Sequence, residues 1–259
     1  MSFLNSGAKQ NFVDNASLDN FILSIQIRIN NSNYGINTCY MAAISTTPSN
    51  GPYRAHRERQ RRRILSAARE LFDTRGIDRV TMAEIVSAAG IRASTLYEYF
   101  SNKDELVWAL VEEIMVQGSE RVHKSVEGVS GAALAKIAAL FRAFEDELTH
   151  DPARVRFMAQ FDAMYARDWS AERLLTLEDR IFPGRFELLS DLIREGIADG
   201  SLRADLDPDL TLHSVVNAVI GAQRRLASLG NRVEEEYGQP IELLFRETVR
   251  IILLGLRAT

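Results

Sequence analysis

The chain has 259 residues, of which 46% are hydrophobic and 25% charged, a balance typical of globular proteins that excludes collagen-like, low-complexity and wholly disordered chains. Cys39 is the only cysteine, so the sequence offers neither an intrachain disulfide nor a multi-cysteine zinc site. The longest strongly apolar run, residues 251–256, is far shorter than the roughly 20 residues of a membrane-spanning helix. No secretory signal pattern opens the chain, and we therefore expect a cytoplasmic protein.

The charge is distributed unevenly along the chain. The net charge of the whole chain is -4, but residues 54–103 contain eleven basic and six acidic residues and carry +5, whereas residues 104–259 carry -9. A cationic segment joined to an acidic body is expected when only one end of a protein binds a polyanion. The alternative is a solvated charged helix face, and charge alone does not decide between the two.

The first forty residues differ in composition from the rest. They hold eight of the twelve asparagines but only one of the 27 arginines. We expect residues 1–53 to be an extension outside the fold, either disordered or partly absent from the native protein because translation begins at Met41. A native mass that includes residues 1–40 would exclude the internal start.

Helical periodicity dominates after residue 53. Apolar positions between Ile64 and Phe72 repeat with helical spacing, and Gly76 is suited to end this helix. Thr81, followed three residues later by Glu84, is a capping box that begins a short second helix. Further helices are predicted over residues 92–100, from 101 through 114, and over 134–148, 153–168, 171–197, 207–229 and 240–256.

The two short helices around residues 89–91 are predicted to form a helix-turn-helix. The second helix of such a unit enters the major groove at its N-terminal end and reads base edges there. Residues beside it, including tyrosine hydroxyls and a lysine, are placed to contact phosphates. The predicted DNA contacts are Thr81, Arg92, Ala93, Ser94, Thr95, Tyr97, Tyr99 and Lys103.

The run from Thr81 to Leu106 resembles the N-terminal domain of TetR-family transcriptional regulators, with a match over about residues 60–110. The resemblance rests on the spacing of Gly90-Ile91, Thr95-Leu96-Tyr97, Tyr99-Phe100, Lys103 and Leu106. It implies an all-α homodimer, a palindromic operator and, usually, repression that a small ligand relieves. It also implies phosphate contacts by Thr81, Tyr97, Tyr99 and Lys103 and base reading around residues 92–95.

The sequence departs from the family pattern at two positions. Arg92 stands where many members have a small capping serine, and Glu98 where histidine or a neutral residue is common. The arginines of residues 54–63 are predicted either to form a flexible arm in an adjacent minor groove or to attract DNA without reading bases. The second interpretation is favoured.

The predicted fold is all-α. An N-terminal three-helix helix-turn-helix DNA-binding domain, residues 54–102, is followed by a helical-bundle ligand-binding and dimerisation domain, residues 103–259. The second domain is rich in Phe and Met, most of which must form its core, but such a bundle can also enclose a cavity for a small apolar or amphipathic effector. The predicted effector contacts are Phe144, Phe161, Met164, Tyr165, Trp169 and Asn217, with Gln160 and Gln223 as further polar groups.

The last two predicted helices carry more apolar side chains than a water-exposed surface tolerates. We therefore expect a homodimer with a four-helix interface, which would set the recognition helices about 34–36 Å apart, one turn of DNA. The residues predicted for this interface are Leu212, Val215, Val216, Val219, Ile220, Leu226, Leu243, Leu244, Val249, Ile252 and Leu253.

Nucleotide-binding, serine-hydrolase and zinc-protease motifs do not occur in the sequence. No enzyme activity, metal or cofactor is therefore predicted. Two alternatives stay open, a membrane-surface or adaptor protein that uses the basic helix of residues 54–75, and a TetR-like regulator without a small-molecule ligand.

Overall fold

The computed structural model describes residues 52–181 and 187–259. In these two ranges the chain forms eleven α-helices and no strand, which confirms the predicted all-α class. The predictions for residues 1–51, and for a break at Pro183-Gly184, lie outside the described residues. The helices are α1 (Pro52–Arg75), α2 (Met82–Ala89), α3 (Ala93–Tyr99), α4 (Lys103–Val126), α5 (Ala133–His150), α6 (Pro152–Asp168), α7 (Ala171–Ile181), α8 (Glu187–Ala198), α9 (Pro208–Leu229), α10 (Arg232–Tyr237) and α11 (Ile241–Leu256).

Local sequence sets several of the helix starts. The capping box of Thr81 and Glu84 is present at α2, and the Asp207 carboxylate accepts the first free amides of α9, with Pro208 in the first turn. The start predicted at Ser101 is one residue off, because Asn102 caps α4 by accepting from the Glu105 amide.

A first hydrophobic core joins α1–α4 to α6 and α7. Ile64, Phe72, Leu96 and Leu106 are fully buried in it, with Phe157 from α6. The core therefore crosses residue 102, the predicted domain boundary, because α4 packs against the helix-turn-helix as well as against the body.

A second core lies in the body, between α5, α8, α9 and α11. It contains Phe141, Ile193, Val219 and Phe245, all nearly inaccessible to solvent. An isolated antiparallel bridge between Leu202 and Arg257 fastens the end of the chain beside α8.

Within residues 52–181 and 187–259, no helix has both the length and the apolarity to cross a membrane. The same residues hold no cluster of three or more His, Cys, Asp or Glu that could bind a metal ion.

Candidate nucleic-acid interface

The turn between α2 and α3 depends on Gly90. Its backbone is left-handed, with φ 59° and ψ 43°, and its N–H donates to the carbonyls of Ser87 and Val86. Glycine adopts this conformation without the strain that a side chain adds. The turn holds the two helices in the arrangement of a helix-turn-helix, with Ile85 and Leu96 fully buried between them.

Most of the predicted base-reading residues lie exposed on the first turn of α3. Arg92, Ala93 and Ser94 are exposed and Thr95 is half-buried. Arg92 is the N-cap residue, with extended backbone and no side-chain capping hydrogen bond, so it replaces the family's capping serine without taking over its role. Tyr97 is 54% exposed, which leaves its hydroxyl accessible to a phosphate.

Thr81 is bound to its own helix. Its hydroxyl donates to Glu84 Oε2 at 2.8 Å, and its N–H donates to the same oxygen at 2.8 Å. These bonds and Arg75, whose Nη1 lies 2.7 Å from Glu84 Oε1, lower the pKa of Glu84 to about 2, with the Thr81 backbone hydrogen bond as the largest cause. A phosphate at Thr81 would therefore meet an ionised carboxylate that Arg75 partly neutralises, a feature the sequence prediction missed.

The arginines of α1 lie against the recognition helix. The Arg57 guanidinium is centred 5.6 Å from the Tyr99 ring, and that of Arg61 5.8 Å from the Phe100 ring, within the range of cation–π contacts. Because residues 54–63 are part of α1, the expectation of a flexible arm is wrong. The same helix presents this charge beside α3, as general attraction of DNA requires.

Lys103 has a different role from the one predicted. Its ammonium group donates to the carbonyl oxygens of Ile77, Asp78 and Val80, at 3.0, 3.3 and 3.2 Å. These three bonds use all three donors of the side chain. Lys103 therefore fastens the loop before α2, a structural role that the sequence did not predict.

Residues 64–110 match the model of the bacterial regulatory proteins of the tetR family. This segment contains the whole helix-turn-helix and the Gly90 turn described above. Over these N-terminal helices the chain is therefore similar to TetR-family regulators. The similarity supports a DNA-binding role for the helix-turn-helix.

Two bacterial regulators match longer stretches of the chain. The transcriptional repressor KstR2 of Mycolicibacterium smegmatis is 25% identical over 190 residues, which cover 70% of this chain and 85% of the relative. The fatty acid metabolism regulator protein of Bacillus subtilis is 23% identical over 156 residues, 60% of this chain and 77% of the relative.

Solved TetR structures share the fold of the body. The ketosteroid regulator KstR2 of Mycobacterium tuberculosis superposes with a TM-score of 0.58 at 23% identity, over 77% of this chain and 95% of that one. FadR of Bacillus subtilis, solved in complex with stearoyl-CoA, gives 0.57 at 21% identity, over 75% and 98%. At this identity the likeness shows the architecture alone.

The helical body brings four of the six predicted effector residues together. Phe161, Met164 and Tyr165 are buried on α6, and Trp169 is half-buried at its C-cap. Trp108 from α4, which the sequence analysis did not select, lies at the centre of this group, with its ring centroid 5.1 Å from that of Phe161. Spacing could not reveal Trp108, because the contact joins helices that are far apart in sequence.

The remaining two predicted effector residues lie elsewhere. Phe144 packs half-buried against the second core, and Asn217 is exposed and donates to the carbonyl of His213 on its own helix. Neither reaches the aromatic group on α6, so the six residues do not line one site. Gln223 is also committed, since it donates to the Phe144 carbonyl at 2.8 Å. A surface cleft of about 590 Å³ between α4 and α5 contains none of the predicted residues.

Three polar contacts join α1 and the loop after it to α6. The Arg69 guanidinium binds the Asp151 carboxylate, Arg156 binds Asp73, and the side-chain oxygen of Gln160 accepts from the Ile77 amide at 2.9 Å. They connect the DNA-binding helices to the helix that carries Phe161 and Tyr165.

Arg154 anchors α6 to the rest of the body. It is 3% exposed, donates to the carbonyl of Ile114 and to Gln117 on α4, and pairs with Glu147 on α5. Burial lowers the pKa of its guanidinium, and the Glu147 charge acts in the opposite direction. A buried cation is tolerated when it is paired with an opposite charge. The two Nη groups of Arg154 are hydrogen-bonded and its Nε, which has no hydrogen bond, lies beside the Glu147 carboxylate, so this residue links three helices.

Proposed function

We propose that this chain is a homodimeric repressor that binds a palindromic operator through α2 and α3, and that leaves it when a small apolar or amphipathic effector binds the body. The observation that carries the proposal is the exposed first turn of α3, flanked by the arginines of α1. The match of residues 64–110 to the tetR family model supports DNA binding itself, while dimer, operator and effector are our proposals.

The proposed DNA contacts fall into two groups, base-reading residues and phosphate contacts. Arg92, Ala93, Ser94 and Thr95 read base edges in the major groove, where small side chains allow close approach and an arginine favours guanine. Tyr97, Tyr99 and the Thr81 region contact phosphates, which position the helix without reading sequence. Lys103 is left out because its donors are used inside the fold.

The proposed dimer interface lies on α9 and α11. Leu243, Ile251 and Leu254 on α11 are 47%, 58% and 53% exposed, which is unusual for large apolar side chains clustered on one helix. On α9, the exposed positions Ala218 and Gly221 are small and would let a second helix approach closely. The interface differs from the sequence prediction in that Val215, Val219 and Leu226 are buried within one protomer.

The proposed effector site is the aromatic group of α4 and α6. The stearoyl-CoA of the FadR complex supports an apolar or amphipathic ligand for a body of this architecture. Any shift of α6 on binding would reach α1 through the Arg69, Arg156 and Gln160 contacts. An effector changes the affinity for DNA only to the extent that it binds one arrangement of the two helix-turn-helix units of the dimer better than the other.

The buried face of α1 argues against the membrane-surface alternative. Ile64, Leu65 and Phe72, three large apolar side chains of this helix, are at most 2% exposed because they pack in the first core, and Leu71 packs against the same core. The helix therefore has no free apolar stripe to insert into a bilayer. The regulator without an effector differs from our proposal only in the effector, which the ligand titration below tests.

Fluorescence anisotropy on the full chain tests operator recognition. The probe is a labelled duplex of the intergenic DNA upstream of the protein's own gene, with scrambled competitor, at 50 and 200 mM salt. We expect competitor-resistant binding, a changed order of base preference for Ser94→Ala, and an equal loss on all sequences for Tyr97→Phe. Ser130→Ala, at an exposed loop of the body, is the matched control. Binding that scrambled DNA displaces would contradict the proposal.

Sedimentation equilibrium tests the dimer. Leu254→Glu places a charge in the proposed interface, and we expect it to yield monomers. Val116→Glu is the control, since Val116 is an exposed apolar residue on α4, away from α9 and α11, and should leave the dimer intact. A Leu254→Glu protein that remains dimeric would place the interface elsewhere.

A further inference from the structure

Trp108 is the centre of an aromatic cluster that includes Phe161, Tyr165 and Trp169. Its ring meets the rings of these residues edge-on, with centroid distances of 5.1, 6.4 and 5.3 Å. Phe161 is in turn stacked between Tyr165 and Trp169, at 5.8 and 5.6 Å. The four rings therefore pack into one aromatic cluster where α4 meets α6.

The indole N–H of Trp108 lacks an acceptor. The residue is 7% exposed, and its Nε1 is buried without a hydrogen-bond partner in the described part of the chain. Buried donors are almost always paired in folded proteins, and each exception requires an explanation. An indole nitrogen can only donate, so the group that would satisfy it is an oxygen or another acceptor that the described residues do not supply.

Two side chains lie at the edge of this cluster. Trp169 is half-buried at the C-cap of α6, and its ring centroid lies 5.3 Å from that of Trp108 and 5.6 Å from that of Phe161. Arg173 on α7 is exposed, and its guanidinium lies 4.3 Å from the centroid of the Trp108 ring. The cluster therefore has a partly exposed aromatic ring and a cation at its edge.

We propose that the effector is a flat, apolar molecule with one oxygen acceptor, which displaces Trp169, packs against Phe161 and Tyr165, and accepts a hydrogen bond from Trp108 Nε1. This inference rests on the proposed function for the existence of an effector. A flat ring system replaces the displaced indole at little loss of contact, since aromatic pairs keep stacked and edge-on geometries.

The oxygen can belong to a ketone or to a carboxylate. The charges near the cluster have both signs, so they do not select a ketone or a carboxylate. The Arg173 guanidinium lies over the Trp108 ring, whereas burial and the nearby Glu178 carboxylate raise the pKa of Tyr165. Three probes of one shape separate the cases. They are 2-acetylnaphthalene, 2-naphthoate and 2-ethylnaphthalene, which has no acceptor.

The test uses the full chain with ¹⁵N-labelled indole groups. Trp108 and Trp169 are the two tryptophans of the protein, so the spectrum contains two indole signals, which Trp169→Phe and Trp108→Phe assign. We expect 2-acetylnaphthalene to move the Trp108 N–H proton downfield, as formation of a hydrogen bond does. Calorimetry should show it binding about fivefold more tightly than 2-ethylnaphthalene, since a net hydrogen bond contributes about 1 kcal/mol.

The matched variants distinguish a hydrogen bond from simple packing. Trp108→Phe keeps an aromatic ring and removes the donor, so the advantage of the ketone over the hydrocarbon should vanish, whereas Trp169→Phe should retain it. A preference for 2-naphthoate that Arg173→Gln removes would identify a carboxylate ligand. If Trp108→Phe fails to fold, the comparison of ketone with hydrocarbon on the wild type and on Trp169→Phe still decides the matter.

Three results would overturn the inference. They are equal affinity of ketone and hydrocarbon for the wild type, a Trp108 signal that does not move when the ketone binds, and no binding by any of the three probes. None of these measurements involves DNA. A failure of operator binding therefore counts against the proposed function and leaves the outcome of this titration intact.

Discussion

Asp73, on the last turn of α1, accepts two hydrogen bonds from the Arg156 guanidinium on α6, at 2.8 and 2.9 Å. The paired geometry fixes direction as well as distance. Helix α1 packs directly on α2, and α6 carries Phe161, Tyr165 and, at its C-cap, Trp169. This contact therefore joins the helix-turn-helix to the helix of the aromatic cluster.

A double-mutant cycle of Asp73→Asn and Arg156→Gln should give a coupling energy of about 1 kcal/mol in urea unfolding. The side chains of this pair are 23% and 32% exposed, so solvent screens them incompletely. The comparison pair is Arg54 and Glu58, which are 66% and 58% exposed and should couple by less than about 0.5 kcal/mol. Equal coupling energies for the two pairs would contradict a structural role for the α1–α6 contact.

Lys103→Met should lower the free energy of unfolding by about 1–3 kcal/mol, because the carbonyls of Ile77, Asp78 and Val80 lose their donor. Lys124→Met, at an exposed position of α4, should stay within about 0.5 kcal/mol of the wild type. The salt dependence of DNA affinity should not change in the Lys103 variant. A decrease of its slope by about 0.9 would instead show that Lys103 neutralises a phosphate.

The capping box of α2 should stabilise the fold only above acidic pH. The pKa of Glu84 is about 2 in the folded chain against its usual 4.5, so its contribution is complete above pH 4.5 and is lost as the pH falls through about 2. Urea unfolding of wild type and Glu84→Gln at several pH values measures this. The gap between the two should be widest near neutral pH and shrink below 4.5, and a gap that stays constant would refute the assignment.

Gly90→Ala should destabilise the fold by about 1–2 kcal/mol, since its φ of 59° is costly for a side chain. An added Cβ would also lie 2.8 Å from the Arg63 guanidinium, which must move away. Gly128→Ala has φ 74° with open space around the new Cβ and isolates the backbone strain. We expect similar thermal shifts for both variants but weaker DNA binding for Gly90→Ala alone. A much larger shift for Gly90→Ala would mean that Arg63 cannot relax.

The DNA-binding unit was accessible from the sequence because its determinants are local. A capping box, a glycine at the turn and the spacing of Leu96 and Phe100 specify helices within a few residues, and α2 and α3 form as predicted. The structural role of Lys103 could not be predicted in this way. Its carbonyl partners are 23 to 26 residues away, and no spacing rule connects a lysine with a loop at that distance.

In the body, the helices could be predicted from the sequence but the contacts between them could not. Its helices follow from periodicity and caps such as Asp207-Pro208, but contacts between helices decide which faces meet. Phe161 and Trp169 are close because they lie on one helix, whereas Trp108 joins them from α4 and Phe144 lies in the second core. The sequence by itself determined the helices, the cationic segment of residues 54–103 and the resemblance of its helix-turn-helix to TetR-family regulators, since these depend on neighbouring residues. Only the tertiary structure decided which donors are already bound and which indole is left without a partner, because burial and hydrogen bonding are properties of the packed helices together.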